Sequence, residues 1–114
     1  MKIETFEEII AWQKARRLNL IIYKTFSICK DFSFKNQIER ASVSIMNNIA
    51  EGFERHTNKE FKNFLYISKG SCGEVRSMIS LALDLNYINK EEFENIYGKC
   101  NEISKILSGF IKTL

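Results

Sequence analysis

The sequence contains no proline and only five glycines. With so few breakers, helices are permitted almost everywhere, and the remaining punctuation must mark the turns. Histidine is nearly absent too: His56 stands alone with no ligand-type neighbour at metal spacing. The cysteines are Cys29, Cys72 and Cys100, far apart and without a CxxC pair. This excludes a zinc ribbon or finger, and an odd count argues against a secreted disulfide framework. The thiols are expected reduced and mostly buried. No apolar run approaches the roughly 18 residues of a membrane span, and no signal peptide opens the chain. The expectation is a soluble, cytoplasmic protein with no membrane partner and no cofactor. The segment Lys69 to Glu74 has the small residues of a phosphate loop, but GxxxxGK[ST] is absent and helical periodicity runs through it.

What is present suits one core. A chain of 114 residues, 45% hydrophobic and 12% aromatic, is long enough for a single domain over 1–114 and too rich in aromatics for disorder. The net charge of +3 allows nucleic acid as a partner without requiring it. Charge is uneven, about +4 over residues 1–76 and −1 over residues 77–114. Lys14, Arg16, Arg17 and Lys24 have no acid between them, which marks one basic face as a candidate nucleic-acid contact. Trp12 and Tyr23 are the aromatics placed to stack on bases there.

Apolar residues recur at about 100° per residue in four stretches, near 6–29, 34–55, 58–86 and 90–113. Ser33 is placed to cap the second, Thr57 with Glu60 the third, and Asn89 with Glu92 the fourth. Each stretch carries one core stripe, such as Ile38, Ala41, Ile45, Ile49 and Gly52 on the second. The fold class is all-α, an antiparallel up-down-up-down four-helix bundle. The fourth stretch is polar opposite its stripe, an outer wall. The first three carry further apolar residues off their stripes, including Trp12, Val43, Met46, Ile67, Met78 and Leu81. One core cannot bury two faces of a helix, so these are expected at contacts between copies of the chain. Gly70, Gly73 and Ser77 make a small-residue edge that another helix could approach closely.

The second stretch also aligns Gln37, Arg40, Ser44, Asn48, Glu51 and Arg55 within about a 60° sector. A solvated edge, a buried hydrogen-bond network and an active site are the three readings. The network is preferred, because Ser and Asn are poor helix formers to spend on a solvated edge. An active site lacks a His, Lys or metal to activate the hydroxyl or complete the lone carboxylate. The protein is therefore read as non-enzymatic, with no small-molecule substrate.

These strings resemble a bacterial family, the 23S rRNA intervening-sequence proteins, also called four-helix bundle proteins. The resemblance rests on Trp12-Gln13-Lys14-Ala15, Gln37-x-x-Arg40-Ala41 and Ser44-Ile45-x-x-Asn48-Ile49-Ala50-Glu51-Gly52. It continues through Lys59-x-Phe61, Phe64-Leu65 and Gly70-Ser71-x-x-Glu74. It implies a left-handed up-and-down bundle assembling as a ring-like homopentamer, with Gln37, Arg40, Ser44, Asn48 and Glu51 as a structural signature partnered by Ser71 and Glu74. The family is labelled ribosomal through gene location. It is similar in architecture to a basic pentameric bundle that serves diversity-generating retroelements and binds nucleic acid. Structured RNA is therefore the expected ligand, with a protein-interaction scaffold as the alternative. Glu39 stands where the family usually has Arg, and Ser27 where it has Pro.

Overall fold

The computed structural model describes residues 2–114. The 3-10 turn and α2, α3 and α4 each begin where a side chain meets free backbone N–H groups, whereas α1 follows the extended Ile9 with no side-chain cap. Glu8 accepts a hydrogen bond from the Thr5 N–H at 3.2 Å, closing a short 3-10 turn, Phe6–Glu8. Ile9 is extended and buries its side chain, and α1 follows as Ile10–Thr25. The single stretch expected over 6–29 is thus broken at its start and ends early, where the Ser27 hydroxyl takes the Lys24 carbonyl at 2.9 Å. Helix α2 spans Phe32–Phe53, and its cap is Asp31 rather than Ser33: the carboxylate accepts from the Phe34 N–H at 3.1 Å. A carboxylate also suits the positive end of the helix dipole better than a hydroxyl does. Helix α3, Asn58–Asp84, is capped by Thr57 through the Glu60 N–H at 3.1 Å. Helix α4, Lys90–Lys112, carries the full Asn89–Glu92 box at 2.8 and 2.9 Å.

Consecutive helices pack side by side and α1 also packs against α4, while across either diagonal no Cα atoms come within 8 Å among the described residues. The result is a four-sided all-α body of 43 × 22 × 19 Å with one core along its axis. Every stripe contributes: Leu18 and Ile22, Ile38 and Ile45, Leu65 and Ile79, Ile103 and Leu107 are fully buried. No helix is long and apolar enough to cross a membrane.

One end is fastened by a single carboxylate. Asn86 takes a left-handed conformation (φ 60), which stops α3 and lets the Tyr87 N–H reach the Ala82 carbonyl at 2.9 Å. Tyr87 then donates its hydroxyl to Asp31 at 2.6 Å and sets its ring edge-on to Phe34, 5.3 Å away. Asp31 therefore caps α2 and holds the α3–α4 connection. The Tyr87 hydroxyl, and then the Phe34 N–H, hold the Asp31 carboxyl below its ordinary 3.8. The same bond pushes the Tyr87 phenol above its ordinary 10.0. The carboxylate's contribution to stability is thus complete above the ordinary carboxylate range and lost as pH falls through the lowered value. The phenol's contribution is complete below 10.0 and lost as pH rises through the raised one. Tyr87→Phe should flatten both limbs of a melting-temperature-against-pH profile; unchanged limbs would show that the bond does not form in solution.

At the other end α2 and α3 approach closely at Gly52. A methyl group on Gly52 would stand 2.6 Å from Phe64 Cβ and 3.0 Å from the Phe61 ring. Gly52→Ala should therefore cost roughly 1–3 kcal/mol, the usual toll of overpacking, read as an earlier denaturant midpoint. Gly70 has nothing within 4 Å, so the small-residue edge of α3 receives no helix inside the subunit. Gly70→Ala should stabilise the helix by about 0.5–1 kcal/mol. A loss of stability there would mean that a second molecule already occupies that edge.

Candidate nucleic-acid interface

The six-residue polar stripe of α2 divides on folding. Ser44 and Asn48 face α3. The Ser44 and Ser71 hydroxyls share a hydrogen bond at 2.9 Å, and the Asn48 amide donates to the Ser44 carbonyl and hydroxyl at 2.8 and 2.9 Å. These three residues form the expected network. Gln37, Arg40, Glu51 and Glu74 do not join it. All four are exposed; Gln37, Arg40 and Glu74 make no side-chain hydrogen bond or ion pair among the described residues. Glu51 pairs only with Arg55 in the turn that follows its helix, at 3.0 Å, and Arg55 in turn lies over the Phe64 ring at 4.7 Å. Their Cα positions share a sector with Ser44 and Asn48, but long side chains at its outer edge reach solvent.

The deeper polar contacts were not anticipated. Ser68 donates to the Ile45 carbonyl at 2.7 Å, across the α2–α3 seam. On the other side of α2, buried Ser42 donates to the side-chain oxygen of buried Asn19 on α1, whose amide nitrogen has no partner among the described residues. Ser42 and Asn19 lie in otherwise apolar stripes, and an amide at a core position was the one available signal.

Apolar contact residues divide in the same way. Trp12 and Met78 are buried within the subunit, Trp12 with its ring 5.2 Å from Phe6, so neither offers a face to another copy. Val43 and Met46 are half-buried, Met46 against the core. Ile67 and Leu81 are 52% and 48% exposed, as expected of a second face on α3, which Tyr66 and Leu85 extend. Leu20 and Tyr23 on α1 are exposed as well. Helix α4 contributes no large exposed hydrophobic residue.

Of the basic residues on α1, Lys14 turns toward α4 and pairs with Glu102 at 3.5 Å. Arg16 lies over the Trp12 ring at 5.7 Å. Arg17 and Lys24 are exposed and make no ion pair among the described residues. Between α1 and α2 runs an open groove of about 490 Å³, walled by Tyr23, Asn36, Glu39, Arg40, Asn47 and Asn48. Among the described residues, no group of three or more His, Cys, Asp or Glu could hold a metal ion. Burial pushes the Cys72 and Cys100 thiols up to about 11 and about 12, so neither supplies a thiolate near neutrality.

The model of the 23S rRNA-intervening sequence protein family matches residues 7–109. A crystal structure of a protein of unknown function from the S23 ribosomal protein family of Bacteroides thetaiotaomicron superposes with a TM-score of 0.85 at 29% identity, covering 90% of this chain and 99% of that one. No curated protein matches.

The seam and the outward residues predict opposite mutational behaviour. Ser42→Ala leaves a buried amide with no partner at all and should cost about 1–3 kcal/mol in chemical denaturation. Arg40→Ala should leave the melting temperature of the subunit nearly unchanged. An early melt for Arg40→Ala would put this side chain back into a buried network.

Proposed function

This chain belongs to the 23S rRNA-intervening sequence protein family, and we propose that it is a non-enzymatic, self-associating accessory factor that binds structured RNA. The observation that carries the RNA reading is the exposed cationic face of α1, where Arg16, Arg17 and Lys24 project with no acid between them. Such a face attracts phosphate by releasing the counterions condensed on nucleic acid. Supporting the non-enzymatic reading, the thiols are held protonated, and His56 lies on the exposed α2–α3 turn away from the polar seam.

Self-association is supported by exposed apolar residues on α1, Ile10 and Leu20, and on α3, and by their absence from α4. We take the course of the chain as up-down-up-down and left-handed, and the assembly as a ring of copies, five by family resemblance. The connections 26–31, 54–57 and 85–89 support the alternation. At about 3.5 Å per residue they are too short to return along a helix as long as α3, roughly 40 Å at 1.5 Å rise. A closed ring needs two different faces of one subunit to meet, and α1 and α3 supply them. The same apolar faces favour a second reading, a protein-interaction scaffold without RNA.

A salt titration separates the two. Binding to a structured RNA should weaken linearly in log–log form as salt rises, and Arg17→Ala with Lys24→Ala should lower that slope by about 2. No binding at low salt would leave the scaffold standing. For assembly, Leu81→Glu should shift light-scattering mass toward the subunit, whereas Lys105→Glu on α4 should not. Met78→Glu is uninformative, because it would strand a charge in the subunit's own core.

A further inference from the structure

We propose that the groove between α1 and α2 takes one unpaired nucleotide of the bound RNA, its base stacked on Tyr23 and its phosphate held by Arg40. The inference rests on the RNA reading above and names what that RNA must contain. Two aromatic side chains stood near the basic face in the sequence. The fold removes one of them: Trp12 is buried beneath Phe6 and Arg16. Tyr23 remains, 46% exposed, and it lines the groove. It lies seven positions from Arg16, two helical turns along the same side of α1, so the groove continues the cationic face.

Across from Tyr23 the groove offers the chemistry of a nucleotide. Arg40 supplies a planar, permanently charged fork for a phosphate. Asn36 and Asn47 supply amides that donate and accept, as base edges require. Arg40, Asn36 and Asn47 are exposed and make no side-chain hydrogen bond among the described residues, so a ligand need not break an existing contact. Asn48 is different: its bonds to Ser44 hold it as a fixed wall. Glu39, also lining the groove, repels phosphate and leaves the Arg40 side as the place for it. A base within a duplex has both faces covered by its neighbours, and stacking on a side chain therefore demands a bulged or looped-out nucleotide.

The test uses the full chain and two RNA hairpins with the same stem, one fully paired and one with a single bulged 2-aminopurine. The bulged hairpin should bind roughly ten-fold or more tighter, the worth of one stacked base, and its fluorescence should change on binding. Tyr23→Ala should abolish both the preference and the fluorescence change, Tyr23→Phe should keep both, and Arg40→Gln should reduce the preference, all with unchanged circular-dichroism melts. Equal affinity for the two hairpins, in a protein that still binds both with a steep salt slope, would overturn the groove and leave the cationic face intact. No binding of either hairpin at low salt would overturn both. A Tyr23→Ala protein that changes oligomer size but keeps the bulge preference would also overturn it, by assigning Tyr23 to a contact between copies.

Discussion

The approach of α2 to α3 at Gly52 sets the geometry on which the other contacts depend. With hydrogen in place of a side chain, the backbone of α2 comes within reach of Phe61 and Phe64, and nothing larger fits. Further along the same seam the spacing is held by hydroxyls, Ser68 to the Ile45 carbonyl and Ser44 to Ser71. Small side chains let helices draw close, and each hydroxyl finds a partner across the gap, so proximity is gained without an unsatisfied polar group. Bulky stripes of Leu, Ile and Phe then fill the space left on the axis side. The seam places Arg40 at its outer margin, because Ser44 one turn later is committed to Ser71.

That commitment has a consequence for the faces. Helix α4 packs on α3 and α1 through one stripe and returns its remaining surface to water as charge, including Glu102 and Lys105. Helix α3 packs on α2 and α4 and still shows Tyr66, Ile67, Leu81 and Leu85. Helix α1 shows Leu20 and Tyr23 beside its arginines. Apart from Ile28, Phe32 and Tyr87 at the end where the α1–α2 and α3–α4 connections meet, the large exposed hydrophobic residues lie on α1 and along α3, and none lies on α4. Single exposed hydrophobic residues need no explanation; a row of them along one helix does.

The fold was largely legible because its signals are local. Helical period and the Thr57 and Asn89 caps placed the three later elements to within a few residues, and the core stripes are the buried stripes. The start of α1 and the Asp31 cap were missed although both have local signals: Thr5 stands three residues before Glu8, and Asp31 three before Phe34, where Ser33 was the rival cap. The candidate site was legible only in part. Period tells which residues share a sector, not where a long side chain at its edge will go: within the subunit only Ser44, Asn48 and Ser71 are joined, and Arg40, Gln37 and Glu51 are exposed. Trp12 and Met78 erred in the opposite sense: large apolar side chains just off a stripe fold back into the core they border.

The motif strings thus contain two kinds of residue with separate physical reasons to be there. Ala41, Ile45, Ile49 and Gly52 are buried, Ser44 bonds across the seam to Ser71, and Asn48 bonds back to Ser44 on its own helix; the fold accounts for all of them. Gln37, Arg40 and Glu74 are exposed and make no side-chain hydrogen bond or ion pair among the described residues. A helix gains almost nothing from an exposed arginine that pairs with no acid, since even a paired surface charge is worth only about 0–1 kcal/mol. Stability therefore gives no reason for an arginine at position 40. What it does supply is an unpaired cation on the same open groove as Tyr23, carried by a helix whose other side is pinned by the seam. The helix fixes where the side chain starts, and its free guanidinium has no partner among the described residues to give up before it meets an anion.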